Sequence, residues 1–317
     1  MAKIGIVLAT YNGEKYLAQM LDSLMAQTRQ ADFIVAVDDG SKDSTPGILE
    51  SYRERLPLQV TRLEKNSGHR AAFSKALELA KPQLEDNDLI ALADQDDVWL
   101  PQKLEILEKA METGNGEKPA LVFGDAQVIN ASGKTIAESW RNISNIPTEL
   151  TTEARIAGTN NVTGCLSLFR ASLLKYVLPI PPAVGVHDAW IGLLAAQHGK
   201  VTALKEPVIL YRLHDENSVG LGTPFSFDET CRRQIAWTDM LLEKSGLLNL
   251  SSAQLKFLKK LNHYWHRRSK FPILLTSTVF LIRSRKHLFS HSERRFKKVL
   301  FSILGSPAVH LLFGKDK

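Results

Sequence analysis

From Met1 to about Ile129, short apolar, β-rich runs alternate with stretches whose apolar residues recur at helical spacing. Ile4–Ala9, Phe33–Val37, Leu58–Leu63, Asp88–Ala93 and Ala120–Phe123 read as strands. Gly13–Gln27, Ser44–Leu56, His69–Lys81 and Pro101–Glu112 read as the helices between them, with Leu17, Met20, Leu21 and Leu24 at helical spacing in the first. This alternation predicts an α/β fold with a central, mostly parallel sheet flanked by helices. Ligands of such sheets gather at the carboxyl ends of the strands.

The chain turns polar at those ends. Strand one runs into Ala9-Thr10-Tyr11-Asn12, strand two into Asp38-Asp39-Gly40-Ser41, and strand four into Asp94-Gln95-Asp96-Asp97. The loop after strand three is Asn66-Ser67-Gly68-His69-Arg70. Four polar loops at one edge predict a functional crevice. No G-x-G-x-x-G follows the first strand and no G-x-x-x-x-G-K-[ST] occurs, so a glycine-loop dinucleotide site and a Walker-type NTPase are unsupported. Phosphates would have to be held by a metal and by side chains. Asp94, Asp96 and Asp97 suit that role, because clustered carboxylates are costly unless something positive neutralises them. A hard divalent cation, Mg²⁺ or Mn²⁺, is the natural neutraliser. The alternative is a solvated acidic turn before the helix that Pro101 opens.

After Asn130 the pattern loosens, with loops at Ala131–Lys134 and Asn142–Pro147. Asn160–Phe169 reads as a loop entering a strand, His187–His198 as a helix, and Val208–Leu213 as a strand leading into His214. From Phe227 onward the pattern is helical, which divides the chain into residues 1–222 and a basic helical extension, 223–317.

Composition adds two constraints. Cys165 and Cys231 are too few in 317 residues for a disulfide framework, which points to a reducing compartment, and Ile4–Ala9 is too short for a signal-peptide core. The net charge of +6 is unevenly spread: residues 255–317 hold 15 Lys and Arg against Glu293 and Asp316. The apolar run Phe271–Ile282 has 12 residues, short of the roughly 20 that span a bilayer. Apolar segments flanked by cations suit an anionic membrane surface. A tail packed on its own protein is the other reading. The acidic body and the lack of any nucleic-acid motif argue against nucleic acid as a partner.

In order along the chain stand VLATYNGEKYL at 7–17, VDDGSKDST at 37–45, NSGHRAAF at 66–73, DQDDVW at 94–99, HDAW at 187–190 and YRLHDENSVG at 211–220. Together they resemble a family 2 glycosyltransferase of the inverting, metal-dependent type with the GT-A nucleotide-sugar-binding fold. DQDDVW, HDAW and the final motif are most similar to the rhamnosyltransferase-like branch of bacterial surface polysaccharide synthesis. The resemblance implies Mg²⁺ or Mn²⁺ on Asp96 and His214, with Asp97 supporting, and Asp188 as general base. It implies nucleotide-sugar contacts from Thr10, Tyr11, Asn12, Asp39, His69, Arg70 and Asp94, with Asn161 and Gly164 shaping the donor-sugar pocket. Trp190 would offer the acceptor an apolar platform or else be a core side chain, and His187-Asp188 could equally cap the helix that follows.

The implied activity is sugar transfer, favouring dTDP-L-rhamnose, to a lipid-linked oligosaccharide at the inner face of the plasma membrane. Two alternatives stay open: the same fold using a UDP-hexose, and a non-catalytic sugar-binding or scaffold protein.

Overall fold

The computed structural model describes residues 2–113, 120–215, 227–268 and 275–288. They fall into two compact units, one drawn from residues 1–146 and 162–221, the other from 147–161 and 222–317. In chain order the elements begin with β1 (Ile4–Thr10), α1 (Leu17–Met25), β2 (Phe33–Asp38), α2 (Thr45–Ser51), β3 (Leu58–Arg62) and α3 (His69–Ala80). Next come β4 (Leu89–Asp94), β5 (Val98–Trp99), α4 (Lys103–Glu112), β6 (Leu121–Asn130), β7 (Thr135–Ala137) and α5 (Trp140–Ile143). Then follow α6 (Thr152–Ile156), β8 (Ser167–Arg170), α7 (Leu174–Val177), α8 (His187–His198) and β9 (Val201–Leu213). The chain continues with α9 (Phe227–Glu243), α10 (Ser252–Arg268) and α11 (Leu275–Leu288).

The first unit is built on a nine-stranded sheet ordered β3-β2-β1-β4-β8-β6-β9-β5, with β7 on β6. Strands β3, β2, β1 and β4 are parallel, and the expected strand ends align: Ala9 pairs with Asp94, and Thr10 with Asp38. β1, β2 and β4 are buried on both faces, which is why each reads as an unbroken apolar run. Beyond β4 the sheet is mixed. β8 runs antiparallel to β4 and β6, β9 parallel to β6, and β5 antiparallel to β9. Val98 pairs with Leu210, which carries the chain after Asp97 alongside the end of β9. The β6–β9 register shifts on either side of Asp125, where β9 presents Pro207, a residue with no N–H to pair.

Trp190 corrects an expectation. It is fully buried in α8, and its indole N–H donates to the Val177 carbonyl at 3.1 Å. No face of its ring reaches solvent, so it is a core side chain and offers no platform to an acceptor. Ile191, Leu193, Leu194 and Ala195 are buried with it, so α8 is apolar nearly all round, as an interior helix must be.

The second unit takes in residues 147–161, which a single division after residue 222 does not separate. Trp237 of α9 donates its indole N–H to the Ile156 carbonyl at 2.9 Å. Leu241, Leu258 and Leu261 are fully buried. Phe257 meets His287 at 6.0 Å and Tyr264 meets Phe280 at 6.1 Å between ring centroids, so α10 and α11 run antiparallel. No described helix is long and apolar enough to cross a membrane. Residues 269–274 and 289–317 of the basic segment lie outside the described residues.

If Trp190 is core, Trp190→Ala should lower the unfolding free energy by about 3–5 kcal/mol, the usual cost of such a cavity. Urea denaturation measures this. An unchanged midpoint would return Trp190 to the surface role.

Candidate active site

The loops after β1 and β2 are laced together by side chains. Thr10 is buried, and its hydroxyl donates to Asp38 Oδ1 at 3.2 Å while its carbonyl accepts the Asp39 N–H at 2.8 Å. Asn12 has φ 47°, a left-handed conformation that asparagine tolerates. Its N–H donates to Ser41 Oγ and its amide oxygen accepts the Lys42 N–H, both at 2.9 Å. Thr10 and Asn12, expected to contact a nucleotide, are thus committed to the loop framework. Tyr11 differs: 40% of it is exposed. Its main chain is gripped by the Gln95 amide, which accepts its N–H at 2.8 Å and donates to its carbonyl at 3.0 Å. The ring is left as a surface on which a base could stack.

Asp39 is buried and accepts two main-chain N–H groups, Ser67 on Oδ1 and Gly68 on Oδ2, each at 2.8 Å. An ionised carboxylate has about four acceptor positions, so Asp39 keeps capacity for a further donor such as a pyrimidine N3–H. His69 and Arg70 open α3. Burial and the Arg70 charge hold the His69 pKa below its ordinary range, which favours the neutral imidazole. Arg70 Nη1 donates to the Ile180 carbonyl at 3.5 Å.

The carboxylates occupy the next loop. Asp96 Oδ2 and His214 Nε2 lie 2.8 Å apart, joining residues 118 positions apart in sequence. That spacing suits neighbouring ligands on an octahedral cation, whose bonds of about 2.1 Å place adjacent ligands about 3 Å apart. Burial, with the Asp96 charge beside it, pushes the Asp94 carboxyl up to about 7. The same causes push buried Asp97 well above the carboxylate range. Ligand atoms of Asp94, Asp97 and Cys165 lie within 4.8 Å of one another, a second donor set that could hold a metal. Burial raises the Cys165 thiol far above its usual range, which keeps it protonated and a poor ligand for a hard cation.

Two basic residues absent from the expected list support this cluster. Arg212 is buried at the end of β9. Its N–H donates to Asp97 Oδ1 at 3.0 Å, Nε to the Asp96 carbonyl at 2.8 Å, and Nη2 to Gln19 Oε1 at 2.8 Å. Its guanidinium also lies 4.5 Å from the centre of the Tyr16 ring. Lys103 is fully buried beneath the loop, donating to the Cys165 carbonyl at 2.6 Å with its ammonium 3.1 Å from the centre of the Trp99 ring. The sequence signals for Arg212 are its place in the YRLHDENSVG motif and its charge in an otherwise apolar strand. Lys103 gives none, since lysine in the first turn of a helix reads as exposed.

Asp188 lies in the first turn of α8, and its Oδ2 accepts the Gly164 N–H at 3.1 Å. Its charge acts on Asp94, so Gly164, Asp188 and the carboxylate loop are brought together. Asn161 is committed elsewhere. Within the second unit it accepts from Arg155 Nη2 at 2.7 Å and donates to the carbonyls of Pro147 and Thr148, which leaves its amide engaged by protein rather than by a donor sugar.

The family model for glycosyl transferase family 2 matches residues 5–178. An uncharacterized glycosyltransferase of Nostoc sp. is 28% identical over 224 residues, covering 68% of this chain and 66% of its own length. The poly(ribitol-phosphate) β-N-acetylglucosaminyltransferase TarS of Staphylococcus aureus is 39% identical over 99 residues, 31% of this chain and 17% of TarS. The chain thus spans about two thirds or less of these relatives. Among solved structures, a TarS fragment in complex with UDP superposes with a TM-score of 0.57 at 19% identity, covering 97% of this chain and 86% of that one. A mannosyltransferase of Pyrobaculum calidifontis, in complex with GDP-Man and Mn²⁺, gives 0.52 at 16% identity, covering 99% and 88%. The fold is that of the GT-A glycosyltransferases.

Burial lowers the Lys103 pKa from 10.5 to about 7. Between those values the unfolded chain binds the proton that the folded chain lacks, so this residue's contribution rises with pH and is lost as pH falls through 7. The difference in unfolding free energy between the wild type and Lys103→Met should therefore grow in favour of the wild type from about pH 7 to pH 10. Denaturant titrations across that range measure it; parallel pH profiles would mean that Lys103 stays charged.

Proposed function

This chain belongs to glycosyl transferase family 2, and on that premise we propose that it is an inverting glycosyltransferase. It moves a sugar from a nucleoside-diphosphate donor to a hydroxyl of a lipid-linked saccharide. The observation that carries the reading is the juxtaposition of Asp96 with His214 at 2.8 Å, beside a carboxylate, Asp188, whose charge reaches the same loop.

Tyr11 stacks on the base and Asp39 accepts its N3–H, which uracil and thymine share and cytosine lacks. Asp94 turns to the ribose, and Arg70 pairs with the phosphates. Mg²⁺ or Mn²⁺ held by Asp96 and His214 would stabilise the departing diphosphate as a Lewis acid. Asp188 takes the proton of the acceptor hydroxyl. The freed oxygen bonds to the anomeric carbon from the face opposite the phosphate, the carbon–oxygen bond to the diphosphate breaks, and the configuration inverts. The Gly164 N–H holds the Asp188 carboxylate in orientation for this step.

HDAW and YRLHDENSVG favour dTDP-L-rhamnose as donor. A UDP-sugar is the second reading, supported by the 39% identical stretch shared with TarS. The basic segment supports a position at the inner face of the plasma membrane as part of this reading. Lys256, Lys259, Lys260, His263 and Arg267 are exposed along α10 at helical spacing, and no acidic residue occurs between Ser252 and Arg268.

With Mn²⁺ and the bound donor, the wild type should slowly hydrolyse nucleotide-sugar. Asp96→Asn should lose metal-dependent nucleotide binding. Asp188→Asn should keep donor affinity while kcat falls by about 10²–10⁴-fold. A scaffold protein would hydrolyse nothing, and normal turnover by Asp96→Asn in added Mn²⁺ would sink the metal assignment.

The full chain should also sediment with anionic liposomes at low salt and be released as salt screens the attraction. Equal binding to neutral and anionic vesicles, or none to either, would count against the membrane reading.

A further inference from the structure

His187 is the residue beside Asp188 that the transfer step leaves unused. It is 7% exposed, and neither ring nitrogen has a hydrogen-bond partner. Its ring is fixed by stacking on Phe73, with centroids 3.9 Å apart. The His69 ring meets it edge-on at 6.0 Å, and His69 Nε2 is likewise buried without a partner. Buried polar atoms without partners are uncommon in folded proteins and call for an explanation.

Gly164 adds a second observation. A Cβ there would stand 2.9 Å from His187 Nε2 and 3.6 Å from Asp188 Cβ. Glycine therefore lets the main chain at 164 come close to both residues, and any Cβ there would crowd His187 Nε2.

We propose that His187, with His69 at its edge, hydrogen-bonds a hydroxyl of the transferred sugar and so helps to set donor-sugar selectivity. The inference rests on the nucleotide-sugar reading above and names the group that reads its sugar. A neutral imidazole offers one donor and one acceptor, which matches a hydroxyl. Burial and the neighbouring His69 pull the His187 pKa down to about 3, so the ring carries no charge to offer a phosphate. A purely apolar ligand would leave both nitrogens as they are. A sugar hydroxyl satisfies them.

The experiment compares each free nucleotide with its sugar conjugate by calorimetry in Mn²⁺: UDP with UDP-GlcNAc, dTDP with dTDP-L-rhamnose, and GDP with GDP-mannose. For the pair that the wild type binds, His187→Phe should leave nucleotide affinity within about twofold. It should weaken the conjugate about tenfold or more, as expected when a buried partner is lost. His187→Asn, whose amide both donates and accepts, should recover part of that loss and serves if the Phe variant does not fold. Equal losses for nucleotide and conjugate, no loss for either, or an effect confined to acceptor KM would overturn the assignment. Failure of the wild type to bind any conjugate would instead overturn the donor reading on which it rests.

Discussion

Three carboxylates within four residues repel one another, and much of the first unit is arranged around that repulsion. Asp94 ends a strand buried on both faces, Asp96 is half-buried and Asp97 buried, so water screens them only in part. The protein answers from two sides. Arg212 binds the loop's own backbone at Asp96 and accepts Asp97 as partner for its N–H, while Lys103 sits beneath. His214 meets Asp96 at 2.8 Å, and on the proposed reading a cation from solution and a diphosphate would complete the balance there.

The loops around this cluster are held by polar side chains rather than by regular structure. Gln95 grips the main chain of Tyr11, Asp38 and Thr10 join the ends of two strands, and Asp39 ties the second loop to the start of α3. Each bond spans a long sequence interval, so the geometry is a property of the assembled sheet. Glycine at 13 permits one of these rivets, since any Cβ there would overlap the Gln95 amide.

The strands and their polar ends were legible because burial on both faces writes an apolar run and the switch to charge is abrupt. The pairing of Asp96 with His214 was legible only through the motif around each residue, for nothing local links positions 118 apart. What failed was direction. Thr10, Asn12 and Asn161 have the chemistry to bind a ligand, yet the Thr10 hydroxyl donates to the Asp38 carboxylate, the Asn12 amide oxygen accepts a main-chain N–H, and the Asn161 amide bonds Arg155 and two main-chain carbonyls. Trp190 sits on a helix with no polar face, so periodicity could not say which side met solvent. Arg212 and Lys103 escaped notice because charged residues are so seldom fully buried that sequence reasoning places them outside. His69 shows the same limit in electrostatic form: its charge depends on neighbours that composition does not reveal.

The pairing of Val98 with Leu210 has a consequence for how this edge of the sheet can vary. β5 is only two residues long, and Arg212 in β9 and His214 just past the end of that strand stand two apart and both meet the acidic loop. Loss or gain of one residue between Pro207 and His214 would turn the pleat over and present their neighbours to the loop instead. Substitutions along this stretch can be judged one side chain at a time. A change in its length cannot, because it acts on the clamp and on the histidine together. The segment is therefore more sensitive to its count of residues than to any one of its side chains.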